Sequence, residues 1–198
     1  MRETISRFNL DGLEVEFLQK VFAIRLEYSF FLYTGELWGV NNGRDMLGDH
    51  HPKEVLNIIH EGKHYGWPYC YESQVLDNDF GISFDCSKTE GPAYTFTAHM
   101  APLGLSCYQK GMLPKRYDHS VFIAFHGSWN RSIPIGYKVT RLKLDSMGNI
   151  ISHEDFINVW FNKDGSPSGS LVDIEYSPEG DLYLSDDFLG VVYKLNTH

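Results

Sequence analysis

Three short polar tracts carry the residues best suited to chemistry: NNGRD (Asn41 to Asp45), HGSWNR (His126 to Arg131) and SDD (Ser185 to Asp187). Each follows directly on an apolar run, LWGV, VFIAF or LYL. Together they offer amides, an imidazole, two guanidiniums and carboxylates. That set suits an anionic ligand with many hydrogen bonds, with or without a metal ion. Asp and Asn at such positions also cap turns, so a purely structural reading of the same corners stands beside the functional one.

The elements that position these corners read as strands. β-Branched and aromatic runs of four to eight residues, bounded by Gly, Pro, Asn and Asp, recur along the chain. The best helical candidate is HPKEVLNIIHEG (His51 to Gly62), where Val55, Ile58 and Ile59 have suitable spacing, but VLNII fits a buried strand better. Three segments share one design of turn, strand, polar corner and returning strand, beginning near residues 35, 120 and 180. A propeller blade takes about 40 to 50 residues and four strands, so the chain holds about four blades at most. Val121 to Phe161 reads as one nearly complete blade, with DSMGN (Asp145 to Asn149) as its hairpin turn, and GSLVDIEYSPEGDLYLSDDFLGVVYKL supplies three strands of another. The predicted fold is an all-β, partial β-propeller over residues 21–198, with residues 1–20 unassigned. The three corners are expected at the ends of inner strands, converging near a central channel.

Charge and composition narrow the partners. The net charge is −9, with 17 Lys plus Arg against 26 Asp plus Glu, and no basic run is available to neutralise phosphates, so nucleic acid is excluded as a partner. Acidic side chains with backbone oxygens suit a hard cation such as calcium. No run approaches the roughly 18 to 20 apolar residues of a membrane span; VFAI and YSFFLY are interrupted by Arg25 and Glu27. The start, MRETISRFNLDGLEVEFLQ, lacks the pattern of a secretory signal. Cys70, Cys86 and Cys107 form no CxxC pair, which argues against zinc. Cys70 and Cys86 bracket a loop that a disulfide can close, and three reduced thiols fit the spacing equally well.

Four motifs in order, TGELWGVNNGRDMLGDHHPKEVLNIIHEGKHYGWPYCYE, HMAPLGLSCY, AFHGSWNR with GYKVTRLKL, and DIEYSPEGDLYLSDDFLGVVYKL, resemble the soluble, pyrroloquinoline quinone (PQQ)-dependent aldose sugar dehydrogenases of the glucose/sorbosone dehydrogenase family. The resemblance runs from about Val21 to Leu195. It implies a six-bladed propeller of which this chain covers the C-terminal three to four blades, with PQQ and calcium at the central face. The activity it implies is oxidation of an aldose at the anomeric carbon to the lactone, with hydride passing to the quinone and then to an external electron acceptor. By the same match the backbone carbonyls of Gly43 and Arg44 are the metal ligands, and Arg25, His126 and Arg131 contact the cofactor. Arg131 either reaches a cofactor carboxylate or stacks on Trp129 or Tyr137. His99 reads as a turn residue before Ala101-Pro102, and KHYGWP (Lys63 to Pro68) as a structural corner whose Trp67 packs between blades.

The chain departs from the family pattern at three places. Leu26 stands where asparagine is expected, Ser29 where glycine is expected, and Ser170 where relatives carry an arginine. Losing that last charge-assisted contact costs roughly 1.5 to 3 kcal/mol of cofactor affinity. The family's catalytic histidine lies on a blade outside these motifs, so the catalytic residue is left unassigned. An incomplete catalyst is expected, with an N-terminal half or a second copy of the chain as partner and a periplasmic or secreted location by analogy with relatives. Two other readings remain: a calcium-dependent lactonase using Asn41, Asn42, Asp186 and Asp187, and a propeller that binds without catalysis.

Overall fold

The computed structural model describes residues 5–8, 15–19, 26–31, 34–108 and 113–195. Strands β1 (Ile5–Phe8) and β2 (Val15–Gln19) pair as an antiparallel hairpin. The first four-stranded sheet contains β3 (Leu26–Phe31), β4 (Glu36–Asn41) and β5 (Glu54–Ile59). The chain then leaves for a small hairpin, β6 (Cys70–Tyr71) with β7 (Val75–Leu76), and returns as β8 (Tyr94–Phe96) beside β5. A second sheet runs β9 (Pro102–Tyr108), β10 (Ser120–Phe125), β11 (Lys138–Leu144) and β12 (Ile150–Ile157) as a meander. A three-stranded sheet of β13 (Leu171–Tyr176), β14 (Leu182–Asp186) and β15 (Val191–Leu195) follows.

Strand β10 shows why these sheets stack. All six of its residues are buried, and successive side chains go to opposite faces. Val121, Ile123 and Phe125 join a core that includes Phe31, Trp38 and Leu56 of the first sheet. Phe122 and Ala124 join a second core with Leu171, Ile174 and Leu184 of the third. A strand that is apolar on both faces needs a sheet on each side, which is the blade arrangement of a propeller. The innermost strands β3, β9 and β13 lie side by side. Their approach is close: a Cβ on Gly104 of β9 would sit 2.7 Å from the Asp173 Cα of β13.

Two expectations shift by one strand. The polar corners follow β4, β10 and β14, which are the second strands of their sheets rather than the innermost. The blade expected from Val121 begins at Pro102, because the PLGLSCY run supplies its inner strand. The tract VLNII is strand, as its apolar run favours. Asp145 closes the β11–β12 hairpin, its Oδ1 accepting from the Met147 and Asn149 backbone amides, while Gly148 takes φ +89°. Cys70 and Cys86 are joined by a disulfide.

Cys107 is the remaining thiol. Ser29 Oγ accepts from its backbone amide at 3.2 Å, stitching β3 to β9, and burial pushes the thiol up to about 12 from its usual value near 9. Between those two values an unfolded chain releases a proton that the folded chain keeps, so stability falls as pH rises through this window. Burial raises Tyr176 as well, in the same sense. In native protein at pH 8 the half-buried Cys107 is therefore expected to react slowly with iodoacetamide and to reach the rate of an ordinary thiol only after denaturation. Rapid modification of the native protein would contradict this burial.

Candidate functional site

The first two corners line one cavity of about 650 Å³, while the third corner, Ser185 to Asp187, stands behind its wall and reaches it only through its neighbours Ser170 and Phe188. Asn42, Gly43, Arg44 and Asp45 line it from the first sheet, His126, Gly127, Trp129 and Asn130 from the second, and Gly169, Ser170 and Phe188 from the third. Direct bonds connect the corners. Asn130 Nδ2 donates to Asp45 Oδ1 at 2.9 Å, and His126 Nε2 lies 3.1 Å from Asp187 Oδ1. The Ser170 hydroxyl donates to the His126 carbonyl at 2.7 Å.

The hub of this arrangement is the turn His99 to Ala101 that enters β9. Both His99 and Ala101 take left-handed backbone, at φ +64° and +54°. This turn gives the carbonyls of Ala101 and Met100 to the amides of His126 and Gly127, at 2.9 and 3.0 Å. His99 Nε2 lies 2.8 Å from the Gly48 carbonyl and 2.9 Å from that of His51, so it carries the proton and ties down the loop after NNGRD. His99 is thus more than a turn residue: it lines the cavity and links two sheets.

Glu54, the first residue of β5, completes the hub from the other side. Its Oε2 accepts from the Gly43 amide at 2.7 Å and its Oε1 from the Ala101 amide at 3.3 Å. Only 2% of Glu54 is exposed, and burial pushes its carboxyl up to about 7 against the pull of these amides. The sequence reading missed this residue. Its signal was a carboxylate opening the apolar strand EVLNII, a polar group that must find donors if it is buried.

The predicted site residues are distributed unevenly around the cavity. Gly43 and Arg44 line it, and a Cβ on Gly43 would fall 2.3 Å from Pro52 Cγ, so the segment passes through a gap that only glycine fits. The Arg44 side chain turns outward, donating from Nη1 to both oxygens of Asp77 at 2.9 and 2.8 Å and from Nη2 to Asp79 at 2.5 Å. His126 faces the cavity as expected. Arg131 points elsewhere: its Nη1 donates to the backbone carbonyls of Asp49 at 2.6 Å and Ala98 at 3.2 Å, which secures the first corner from behind. Arg25 lies outside the described residues. Trp67 is half-buried against the cavity and belongs to neither inter-sheet core, contrary to the expectation that it packs between blades.

Ser170 occupies the wall where an arginine was expected, its amide donating to Asp186 Oδ1 at 3.1 Å. Asp186 is buried and also accepts from the Leu189 amide and the Tyr193 hydroxyl. It is therefore the capping centre of the third corner. Among the described residues no group of three or more His, Cys, Asp or Glu side chains is placed to hold a metal. A cation at this cavity would rest on oxygens of the first corner, where the buried Asn42 Oδ1 atom has no hydrogen-bond partner; the likewise unpartnered Asn41 Oδ1 belongs to a residue that does not line the cavity. Neutral oxygen donors of this kind suit a hard cation that brings its own anionic ligand.

The chain is 35% identical over 171 residues to an uncharacterised protein of Borreliella burgdorferi, covering 85% of this chain and 45% of that one. The fold matches a calcium structure of Trichoderma reesei Carbohydrate-Active Enzymes Family AA12 with a TM-score of 0.76 at 19% identity, over 92% of this chain and 54% of that one. It matches the holo form of the pyranose dehydrogenase PQQ domain from Coprinopsis cinerea with a TM-score of 0.70 at 19% identity, over 96% and 60%. The chain spans about half the length of these relatives. The TrAA12-like family model matches residues 29–198, a span that includes all three polar corners, and the chain belongs to that family.

Proposed function

We propose that the cavity binds PQQ together with a calcium ion and serves the oxidation of an aldose at its anomeric carbon. The observation that carries this reading is the first corner: Gly43, Arg44 and Asn42 line the cavity, and the Arg44 guanidinium is committed to Asp77 and Asp79, which do not line it, so the reading assigns the backbone carbonyls of Gly43 and Arg44 to the cation. A calcium structure and a PQQ-bearing dehydrogenase domain among the structural relatives support it. When bound, PQQ supplies the two-electron acceptor chemistry and calcium polarises it.

The chain's own residues do the positioning. His126 is held at Asp187, which selects a protonated Nε2. Ser170 and the 99–101 turn fix the His126 backbone. Arg44 is paired with Asp77 and Asp79, and Arg131 is bonded to backbone carbonyls. Among the described residues the corner guanidiniums are thus already engaged, so the cation is proposed to carry much of the neutralisation of the cofactor's carboxylates, and PQQ binding should depend on calcium. Asp186 and Asp187 are engaged by Ser170, Leu189, Tyr193 and His126, which weighs against the lactonase reading.

The test is reduction of an artificial electron acceptor by an aldose panel, with and without PQQ and calcium. Slow, sugar-dependent reduction that needs both additives is expected, because the resemblance assigns the general base to a histidine outside these motifs. Hydrolysis of a lactone without PQQ would overturn the reading in favour of a hydrolase.

A further inference from the structure

The disulfide-closed segment from Cys70 to Cys86 has no role in the proposed chemistry and does not line the cavity, yet it holds Arg44, a residue of the cavity wall. Inside it, β6 pairs with β7, and the Asp77 amide donates to the Tyr69 carbonyl at 2.8 Å. Asp77 Oδ1 accepts from the amides of Asp79 at 2.9 Å and Phe80 at 3.0 Å, so this carboxylate organises its own loop. The same carboxylate takes Arg44 Nη1 on both oxygens, and its side chain is only 3% exposed. The Phe80 ring lies 5.2 Å from the Arg44 guanidinium carbon. On the opposite side Glu54 holds the Gly43 amide. Residues 43 and 44 are thus gripped between two buried carboxylates, one of which sits on a loop whose ends are tied together covalently.

We infer that the loop from Cys70 to Cys86 is a clamp for the Gly43–Arg44 segment, with Asp77 as the positioning residue and the disulfide as the element that keeps it in place. Holding Nη1 on the buried Asp77 carboxylate and Nη2 on the exposed Asp79 carboxylate orients the planar guanidinium as well as placing it. Closing the loop covalently restricts the alternatives open to Asp77 when Arg44 pulls away. The consequence is redox dependence: reduction of Cys70–Cys86 loosens the first corner and lowers the affinity of the cavity for a divalent cation. The inference rests on the reading that Gly43 and Arg44 carry the cation.

Two readouts on the whole chain test the clamp. Amide exchange of residues 43–45 in the metal-free protein reports the grip itself, and calcium titration in the presence of PQQ reports its effect on the site. Asp77→Asn and Arg44→Lys are each expected to accelerate exchange at residues 43–45 while leaving β10 protected, and to weaken calcium binding by about 10- to 100-fold. Asp79→Asn, whose carboxylate is 66% exposed, should have a much smaller effect. Reduction of the disulfide should reproduce the Asp77→Asn result, and reduction of that variant should add little, because both act on one grip. Unchanged exchange at residues 43–45 in Asp77→Asn and Arg44→Lys would overturn the clamp. So would wild-type calcium affinity in both variants, or additive effects of reduction and substitution. If exchange responds as expected while the wild-type chain takes up no calcium, the clamp stands and the cation reading under Proposed function is what fails.

Discussion

Replacing Glu54 by alanine is expected to lower stability by about 2–4 kcal/mol, since it removes the acceptor of two backbone donors that each cost about 1–3 kcal/mol without a partner. The donors are the amides of Gly43 and Ala101, both half-buried at the cavity wall. In a chain of this size each kcal/mol moves the midpoint by roughly 2–4 °C, so a fall of about 5–15 °C is expected in a thermal melt. Glu54→Gln keeps one acceptor and turns an NH2 towards the other amide, so it should fall between wild type and alanine. The two variants separate hydrogen bonding from packing. An alanine variant as stable as wild type would show that the 99–101 turn and the NNGRD corner are held without Glu54.

Gly127→Ala is the second large effect. Gly127 has φ +107°, a region that costs an L-residue about 1–3 kcal/mol. An added Cβ would also fall 2.3 Å from Tyr137 Cε1 and Cζ. Tyr137 cannot give way easily: its hydroxyl donates to the Ser128 carbonyl at 2.7 Å and its ring packs edge-on against Phe161 at 5.2 Å. Strain and overpacking together predict a loss of about 3–5 kcal/mol, with His126 displaced from Asp187. Chemical denaturation measures the loss. Tyr137→Ala opens the space the new methyl needs, so the double variant should lose less than the sum of the two single variants. Strict additivity would contradict the contact.

Much of the fold was legible because burial on both faces leaves a plain mark. SVFIAF has no polar position between Val121 and Phe125, and such a strand requires a sheet on either side. The corners were legible for the complementary reason that polar residues break off abruptly from those runs. The direction of long side chains was harder to read. Arg44 and Arg131 each sit in a corner that lines the cavity, yet one is turned outward by Asp77, which is 33 residues away, and the other by the carbonyls of Asp49 and Ala98. These are long-range pairings that no local pattern encodes. The role of Glu54 depended on donors at residues 43 and 101, brought together only by the stacking of the first two sheets. His99 read as a turn residue for the same reason: its partners, the carbonyls of Gly48 and His51, belong to a different sheet's loop.

Ser170 raises a quantitative point about the cofactor. Its hydroxyl is directed at the His126 carbonyl, so it replaces the expected arginine with an internal bond and contributes no charge to the cavity. With Arg44 paired to two aspartates and Arg131 bonded to backbone, neither of these two described guanidiniums is free for an anionic quinone, and the proposal gives the cation the larger share of its neutralisation. The most direct measurement is therefore a PQQ titration of the purified chain followed by the cofactor's visible absorbance, with calcium present and then with calcium removed by chelation. Saturable one-site binding that weakens at least tenfold on chelation is the predicted result. No spectral change at high protein concentration, or equal affinity with and without calcium, would contradict the assignment of this cavity to PQQ and a calcium ion.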